Sequence, residues 1–320
     1  MTSPPHALLD GLIDYAGLFP PARLEMEPAA EAYARHRGGR DAALLGRFIV
    51  PADRLDELAE AVAVHGDGAA WPLSVLGVAP DGDGPDAWLG AARQSLDVAR
   101  AAEDAYDGRL RAERFELKLP ADLARDADAL AGLLADLDAA YVDGAAVGAR
   151  AALEVPYLDA PDAVAPAAQA VAEANGRAGR PAFALKLRCG GVTPDLVPDV
   201  ETLAGAIADV IRGGVAFKAT AGLHHPLPND DESVGARMHG FLGVFGGAAL
   251  ARVHGLGADD LAEILDDADP DAWSIEDGLR WRSLQISPAE TADARQQLAL
   301  SFGSCSFDEP CDDLRALGWL

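Results

Sequence analysis

Short apolar runs alternate with longer stretches of helical spacing along most of this chain. The runs Arg47–Pro51, Leu73–Ala79, Phe115–Leu119, Ala152–Tyr157, Ala182–Arg188, Val215–Thr220, Arg280–Ile286 and Leu300–Cys305 read as β-strands. Between them, Leu123, Leu130, Leu133, Leu134, Leu137 and Tyr141 recur at helical intervals, as do Leu203, Ile207, Val210 and Ile211. Thr193-Pro194-Asp195 has the form of a helix start, and Gly213-Gly214 that of a helix stop just before a strand. Eight strands in regular alternation with helices predict an α/β fold, a (β/α)8 TIM barrel. A doubly wound open sheet is the alternative. No repeat or low-complexity linker divides the chain. The expected organisation is therefore a helical N-terminal extension over residues 1–45, packed on a barrel formed by residues 46–320.

Side chains of a barrel strand alternate between the face sealed by helices and the interior. Phe115, Leu117 and Leu119 share one face, with Glu116 and Lys118 on the other. Leu153, Val155 and Tyr157 oppose Glu154, and Phe183, Leu185 and Leu187 oppose Lys186 and Arg188. Val215 and Phe217 oppose Lys218 and Thr220. Ionised groups pressed under the helices would cost several kcal/mol each, on the order of magnitude of unpaired buried charge. The apolar set must face outward. Glu116, Lys118, Glu154, Lys186, Arg188, Lys218 and Thr220 then converge inside, toward the strand ends where barrel active sites are built.

Three lysines occur in 320 residues, against 23 arginines, and all three lie in these strands. Unlike Arg, a buried Lys can become a neutral amine that serves as base or nucleophile. An ion-pair network that merely fills the barrel is the structural alternative. Two Glu against three Lys and one Arg leaves positive charge in excess, which invites an anionic ligand. Elsewhere the chain is strongly acidic, with a formal charge of −26, so a nucleic-acid surface is not expected. Cys189, Cys305 and Cys311 have no paired ligand spacing and fit a reduced cytoplasmic protein; Cys305 reads as a core thiol. Residues 1–17 carry Asp10 and Asp14 and lack a basic start, and no apolar run is long enough for a bilayer, so neither leader nor membrane span is expected.

The segment Lys218-Ala-Thr220-Ala-Gly222 resembles the strand-six motif of deoxyribose-phosphate aldolase and related class I aldolases. The resemblance spans about ten residues and implies a Schiff base between Lys218 and a substrate carbonyl. That family's second lysine lies on strand seven, whereas here the neighbours are Lys186 on strand five and Lys118 on strand three. No residue matches the family's catalytic Asp, and Glu154 takes that place by position only.

The expected activity is lyase or aldolase chemistry on a small anionic carbonyl compound. Lys186 on the adjacent strand would lower the amine pKa of Lys218, and Glu154 or Glu116 would shuttle protons. Lys118 and Arg188 would hold a carboxylate or phosphate, with Thr220, His224 and His225 at the pocket mouth. Backbone at Gly190, Gly191 and Gly303-Ser304 would approach an anion, and His239 would be a packing residue. No metal and no cofactor are called for, since no His or Cys pair has ligand spacing. The same residues also suit a non-covalent isomerase or phosphoribosyl transferase with a Lys/Arg anion clamp, or a barrel that only binds an anionic metabolite. A homo-oligomer stays open.

Overall fold

The computed structural model describes residues 7–142 and 150–320; the first residues of the segment read for a leader, and the side chain of Tyr141, lie outside them. Eight parallel strands close a barrel: β1 (Ile13–Tyr15), β2 (Leu45–Pro51), β3 (Trp71–Leu76), β4 (Leu110–Lys118), β5 (Arg150–Glu154), β6 (Phe183–Arg188), β7 (Phe217–Thr220) and β8 (Ala299–Ser304). Their order around the ring is β1–β8–β7–β6–β5–β4–β3–β2. Parallel neighbours need a crossover, and helices supply it. Helix Val200–Arg212 is representative: Leu203, Ile207 and Val210 form its buried stripe.

Two expectations about the ring need correction. The division at residue 45 fails, because Ile13–Tyr15 is itself the first barrel strand and pairs with both Phe302–Ser304 and β2. Three residues are too few to show a two-residue period, so the strand reads as part of a helical extension. Conversely, Arg280–Ile286 is not in the barrel. It contributes Leu279–Trp281 and Leu284–Ile286 to a three-stranded antiparallel sheet with Trp273–Ser274, within the long connection between β7 and β8. The turn at Arg282, with φ of 49°, breaks the run in the middle.

A smaller correction concerns the helix start at Thr193. Residues Pro194–Leu196 form only a 3-10 turn, and the helix begins at Val200, where Asp199 accepts a hydrogen bond from the Thr202 N–H at 2.7 Å. Pro198 lies between, and its ring excludes a helical carbonyl four residues earlier. The apolar faces of β4–β7 fall where the alternation places them: Phe115, Leu117, Leu153, Phe183, Leu185, Leu187 and Phe217 are buried against the helices. Inside, Ala184, Ala216 and Leu300 make a small apolar plug at the lower end of the ring. Among the described residues, no helix is long and apolar enough to cross a membrane.

Beyond β6 and β7 the chain turns at Gly190 and Gly222, whose backbones touch. A Cβ on Gly222 would stand 2.8 Å from Gly190 Cα, and φ at Gly222 is already +75°. Gly179 shares the left-handed conformation, with φ +65°, but a Cβ there meets nothing. Gly179→Ala should therefore cost only the conformational term, about 1 kcal/mol. Gly222→Ala should lose about 2–4 kcal/mol, because strain and overpacking act together. Urea unfolding midpoints of the two variants check this, and equal losses would contradict the close approach of the two turns.

Candidate active site

The interior of the barrel is a ladder of alternating charge. At its base, the Lys218 ammonium is bonded to Asp14 Oδ2 and lies 3.1 Å from Glu116 Oε1. The other oxygen of Glu116 lies 2.7 Å from Lys186 Nζ, and Glu154 Oε2 lies 2.7 Å from the same ammonium. Arg188 Nη2 reaches Glu154 Oε1 at 3.4 Å. The strand register explains the order, since Lys118 is level with Glu154, Glu154 with Lys186, and Lys186 with Lys218 on neighbouring strands. Hydroxyls close the remaining valences: Ser74 Oγ donates to Glu116 at 2.6 Å, and Ser301 Oγ donates to Asp14 at 2.8 Å. Arg47 and Arg114 stand below, with Arg47 Nη1 3.7 Å and Arg114 Nη1 3.9 Å from Asp14.

Burial opposes ionisation of every carboxylate in this set, yet the neighbouring cations overcome it. Glu116 is held well below the usual carboxylate range by Lys186 and Lys218, with help from Ser74. Glu154 is lowered against its burial by Lys186 and Arg188, with a contribution from Lys118. Asp14 is lowered against complete burial by Lys218, Arg47 and Arg114. Burial likewise favours neutral Lys186, but Glu116 and Glu154 raise its pKa above the ordinary lysine value. The ladder is ionised throughout its upper half.

Two sequence-based expectations change here. A like-charged Lys186 was to depress the pKa of Lys218, but Glu116 stands between the two ammonium groups and bonds both. The charge balance is also redistributed, because Asp14 adds a third carboxylate at the base and has Arg47 and Arg114 beside it there. Higher up, Glu154 faces Lys186 and Arg188, and a further cation stands at the mouth. There the Lys118 side chain is solvent-exposed and, among the described residues, forms no hydrogen bond or ion pair.

Above the ladder opens a cavity of about 630 Å³ at the C-terminal ends of the strands. Glu116, Lys118, Glu154, Lys186, Arg188, Gly191, Thr220 and His224 all border it. Lys218 does not: its side chain is 0 % exposed and sealed beneath the floor. Gly190 is spent on the contact with Gly222. Ser304 is buried and its hydroxyl donates to Ser306 O at 2.6 Å. His225 is turned toward the C-terminal helix, where Nδ1 meets Asp313 at 2.5 Å. His224 Nδ1 lies 2.9 Å from Glu309 on the same helix. His239 is a packing residue, as expected, buried with Nε2 2.8 Å from Pro198 O. Cys305 is not a core thiol; it is half-buried and lines the cavity beside Gly303. Among the described residues no group of three His, Cys, Asp or Glu side chains has metal-ligand geometry.

The residues missed from the sequence are Asp14, Ser74, Arg114 and Ser301. Alternation would have found Arg114, two positions before Glu116, and Ser301, two before Gly303. Ser74 is an uncharged residue within a strand that was recognised. Asp14 had no signal, because its strand is too short to declare a face. No known family model and no curated protein matches the chain, so the geometry alone carries the functional argument.

Removing Lys218 should destabilise the barrel, because Asp14 then lacks its closest cation. Lys218→Met should cost about 3–5 kcal/mol, and adding Asp14→Asn should recover part of it. Urea denaturation of the two variants measures the difference; a double variant no more stable than the single would remove Asp14 as the partner that matters. A second test uses pH. Because the folded-state pKa of Glu116 is depressed, its stabilisation is present above the ordinary value of 4.5 and lost as pH falls below it. The gap in melting temperature between wild type and Glu116→Gln should be widest near neutrality and close progressively below pH 4.5. A gap independent of pH would mean that the charge of Glu116 does not stabilise the fold.

Proposed function

We propose that this protein is an enzyme acting on a small anionic carbonyl compound, with Lys186 and Glu154 as an acid–base pair. The observation that carries the reading is the position of Lys186 Nζ, 2.7 Å from both Glu116 and Glu154 on the floor of an open cavity. An ammonium so flanked is a proton donor and an electrophile before it is a nucleophile. Arg188 and Lys118 border the same cavity and supply the positive charge that would hold a carboxylate or phosphate.

The step that fits is proton transfer beside a carbonyl group. Glu154 accepts the proton from the carbon next to the carbonyl, and the C–H pair forms the new C=C bond. The carbonyl π pair moves to oxygen, which takes a proton from Lys186, giving an enol. Returning the proton to the same carbon exchanges it with solvent. Where that carbon carries a hydroxyl the intermediate is an enediol, and protonating the former carbonyl carbon while that hydroxyl gives its proton to the neutral Lys186 amine isomerises the compound. Glu116 keeps contact with Lys186 throughout and fixes the ammonium in place. Lys218 and Asp14 act from below by holding Glu116.

A covalent variant also has support, since Lys186 is the lysine in contact with both the cavity and a carboxylate able to take its proton. In that variant the neutral amine adds to the carbonyl and water leaves, forming an imine on Lys186. The aldolase-like segment at Lys218 is the motif for such chemistry, but its amine is enclosed by Asp14 and Glu116.

Incubation in D2O with a panel of small 2-oxo acids and phosphorylated ketones tests the reading, with C–H exchange followed by NMR. Glu154→Gln should lower exchange at least about 100-fold, a general-base effect. Arg188→Ala should raise KM more than it lowers kcat, because the guanidinium binds the substrate's charge. Borohydride added during turnover should leave the protein unmodified, whereas an adduct mapped to Lys186 would establish the covalent variant. Turnover unaffected by Glu154→Gln would dismiss both.

A further inference from the structure

The cavity is divided, and the division follows the ring. Strands β4, β5 and β6 present Glu116, Lys118, Glu154, Lys186 and Arg188. On the opposite side, β1, β2, β3 and β8 present no ionisable acid or base to it. Ile49 and Leu76 line that side from β2 and β3, with Ala16 above β1, then Phe19 and the pair Pro20-Pro21. Gly303 on β8 leaves the space that Ile49 fills, since a Cβ there would lie 2.8 Å from Ile49 Cδ1. The rim over β6 and β7 adds Val192, Leu196, Val234 and Met238. Val192 is 47 % exposed, one of few large apolar side chains so open to solvent.

We infer that the substrate is amphipathic: an oxo acid whose carboxylate and carbonyl lie over β4–β6 and whose aliphatic or aromatic chain lies over β1–β3. This deepens the proposed function and rests on its reading of the charged half as the reacting end. A polyol phosphate of similar size fits the partition poorly. Its hydroxyl groups would face Ile49, Leu76 and Phe19, where they lose water and gain no partner. Asp231 and His224 near the rim are already engaged. Asp231 Oδ1 accepts from the Ser233 N–H at 2.8 Å and the Ser233 hydroxyl at 2.6 Å, and His224 Nδ1 is taken by Glu309. A three-carbon oxo acid would occupy the charged half and leave the apolar one filled with water. A longer chain displaces that water and gains contact area with every carbon added.

The test is calorimetric titration of the wild-type protein with straight-chain 2-oxo acids of three to nine carbons, a phenyl-terminated 2-oxo acid and ribose 5-phosphate. Affinity should rise by roughly fourfold per methylene until the apolar half is full, and ribose 5-phosphate should bind more weakly than the longer acids. Phe19→Ser should flatten the dependence on chain length while leaving the three-carbon acid unaffected. Its side chain is on a loop and only half-buried, so the barrel does not depend on it. The same binding data separate this inference from the catalytic one. Chain-dependent affinity without C–H exchange in D2O would uphold the amphipathic ligand and defeat the enzyme reading. Exchange confined to phosphorylated ketones would uphold the enzyme and overturn the inference. Affinity flat along the series, or no binding by any of these compounds, would overturn it as well.

Discussion

The alternation of charge from Asp14 through Lys218, Glu116, Lys186 and Glu154 to Arg188 is the constraint on which the rest of this barrel depends. Six ionised groups stand in the core because each is within reach of a group of opposite sign. Remove any inner member and two neighbours lose a partner at once, which is why the cost of breaking such a set exceeds the benefit of forming it. The ladder also accounts for the identity of its cations. Each inner ammonium serves two carboxylates from different strands, a task for a compact charge on a flexible stem. A planar guanidinium, built to engage one carboxylate with two parallel bonds, would need a wider ring. Arginine appears only at the ends, as Arg188 above and as Arg47 and Arg114 below, where there is room for it.

The ladder is graded as well as alternating, and the grading separates structure from chemistry. Asp14 and Lys218 are wholly enclosed, Glu116 and Lys186 nearly so, and Glu154 and Arg188 reach the cavity. The lowest pair, Asp14 and Lys218, is scaffold, since neither borders the cavity. The upper groups face solvent or substrate while still held by the lower ones. Charge balances within the six groups of the ladder itself, and Lys118 stands outside it as a cation at the mouth. Anion binding at the mouth can therefore occur without unpairing anything in the core.

How much of this was legible in the sequence depended on strand length. β4 and β6 run long enough for alternation to declare which side chains face inward, and Glu116, Lys118, Lys186 and Arg188 all lie where that pattern puts them. β1 has three residues, and Asp14, the carboxylate that neutralises Lys218, could not be assigned a face. The error propagated: without Asp14, Lys218 looked like an amine in search of a role. The run Arg280–Ile286 misled in the opposite way. Its apolar content is genuine, since Leu279, Trp281 and Ile286 are buried, but it serves a separate antiparallel sheet folded onto the helices. Cys305 shows a third limit. It read as a core thiol, but a position just past the strand's end lies in the cavity and not in the core.

The two carboxylates around Lys186 make its proton unusually easy to relocate despite its raised affinity for it. Both Glu116 and Glu154 are lowered mainly by that same ammonium. When the proton moves from Lys186 to Glu154, the charge that depressed the carboxylate disappears with it, and Glu154 binds the proton more firmly than its resting state implies. The three groups therefore titrate as one unit, and the resting pKa of any member understates its partner's capacity to exchange protons. Glu116 differs from Glu154 in one respect: Lys218 remains bonded to it from below and keeps it ionised after Lys186 is neutral. Between the two carboxylates that border the cavity, Glu154 is therefore the better acceptor of that proton. A ladder that neutralises charge in the core thus has its exchangeable proton at its upper end, which is what the proposed acid–base role of Lys186 and Glu154 requires.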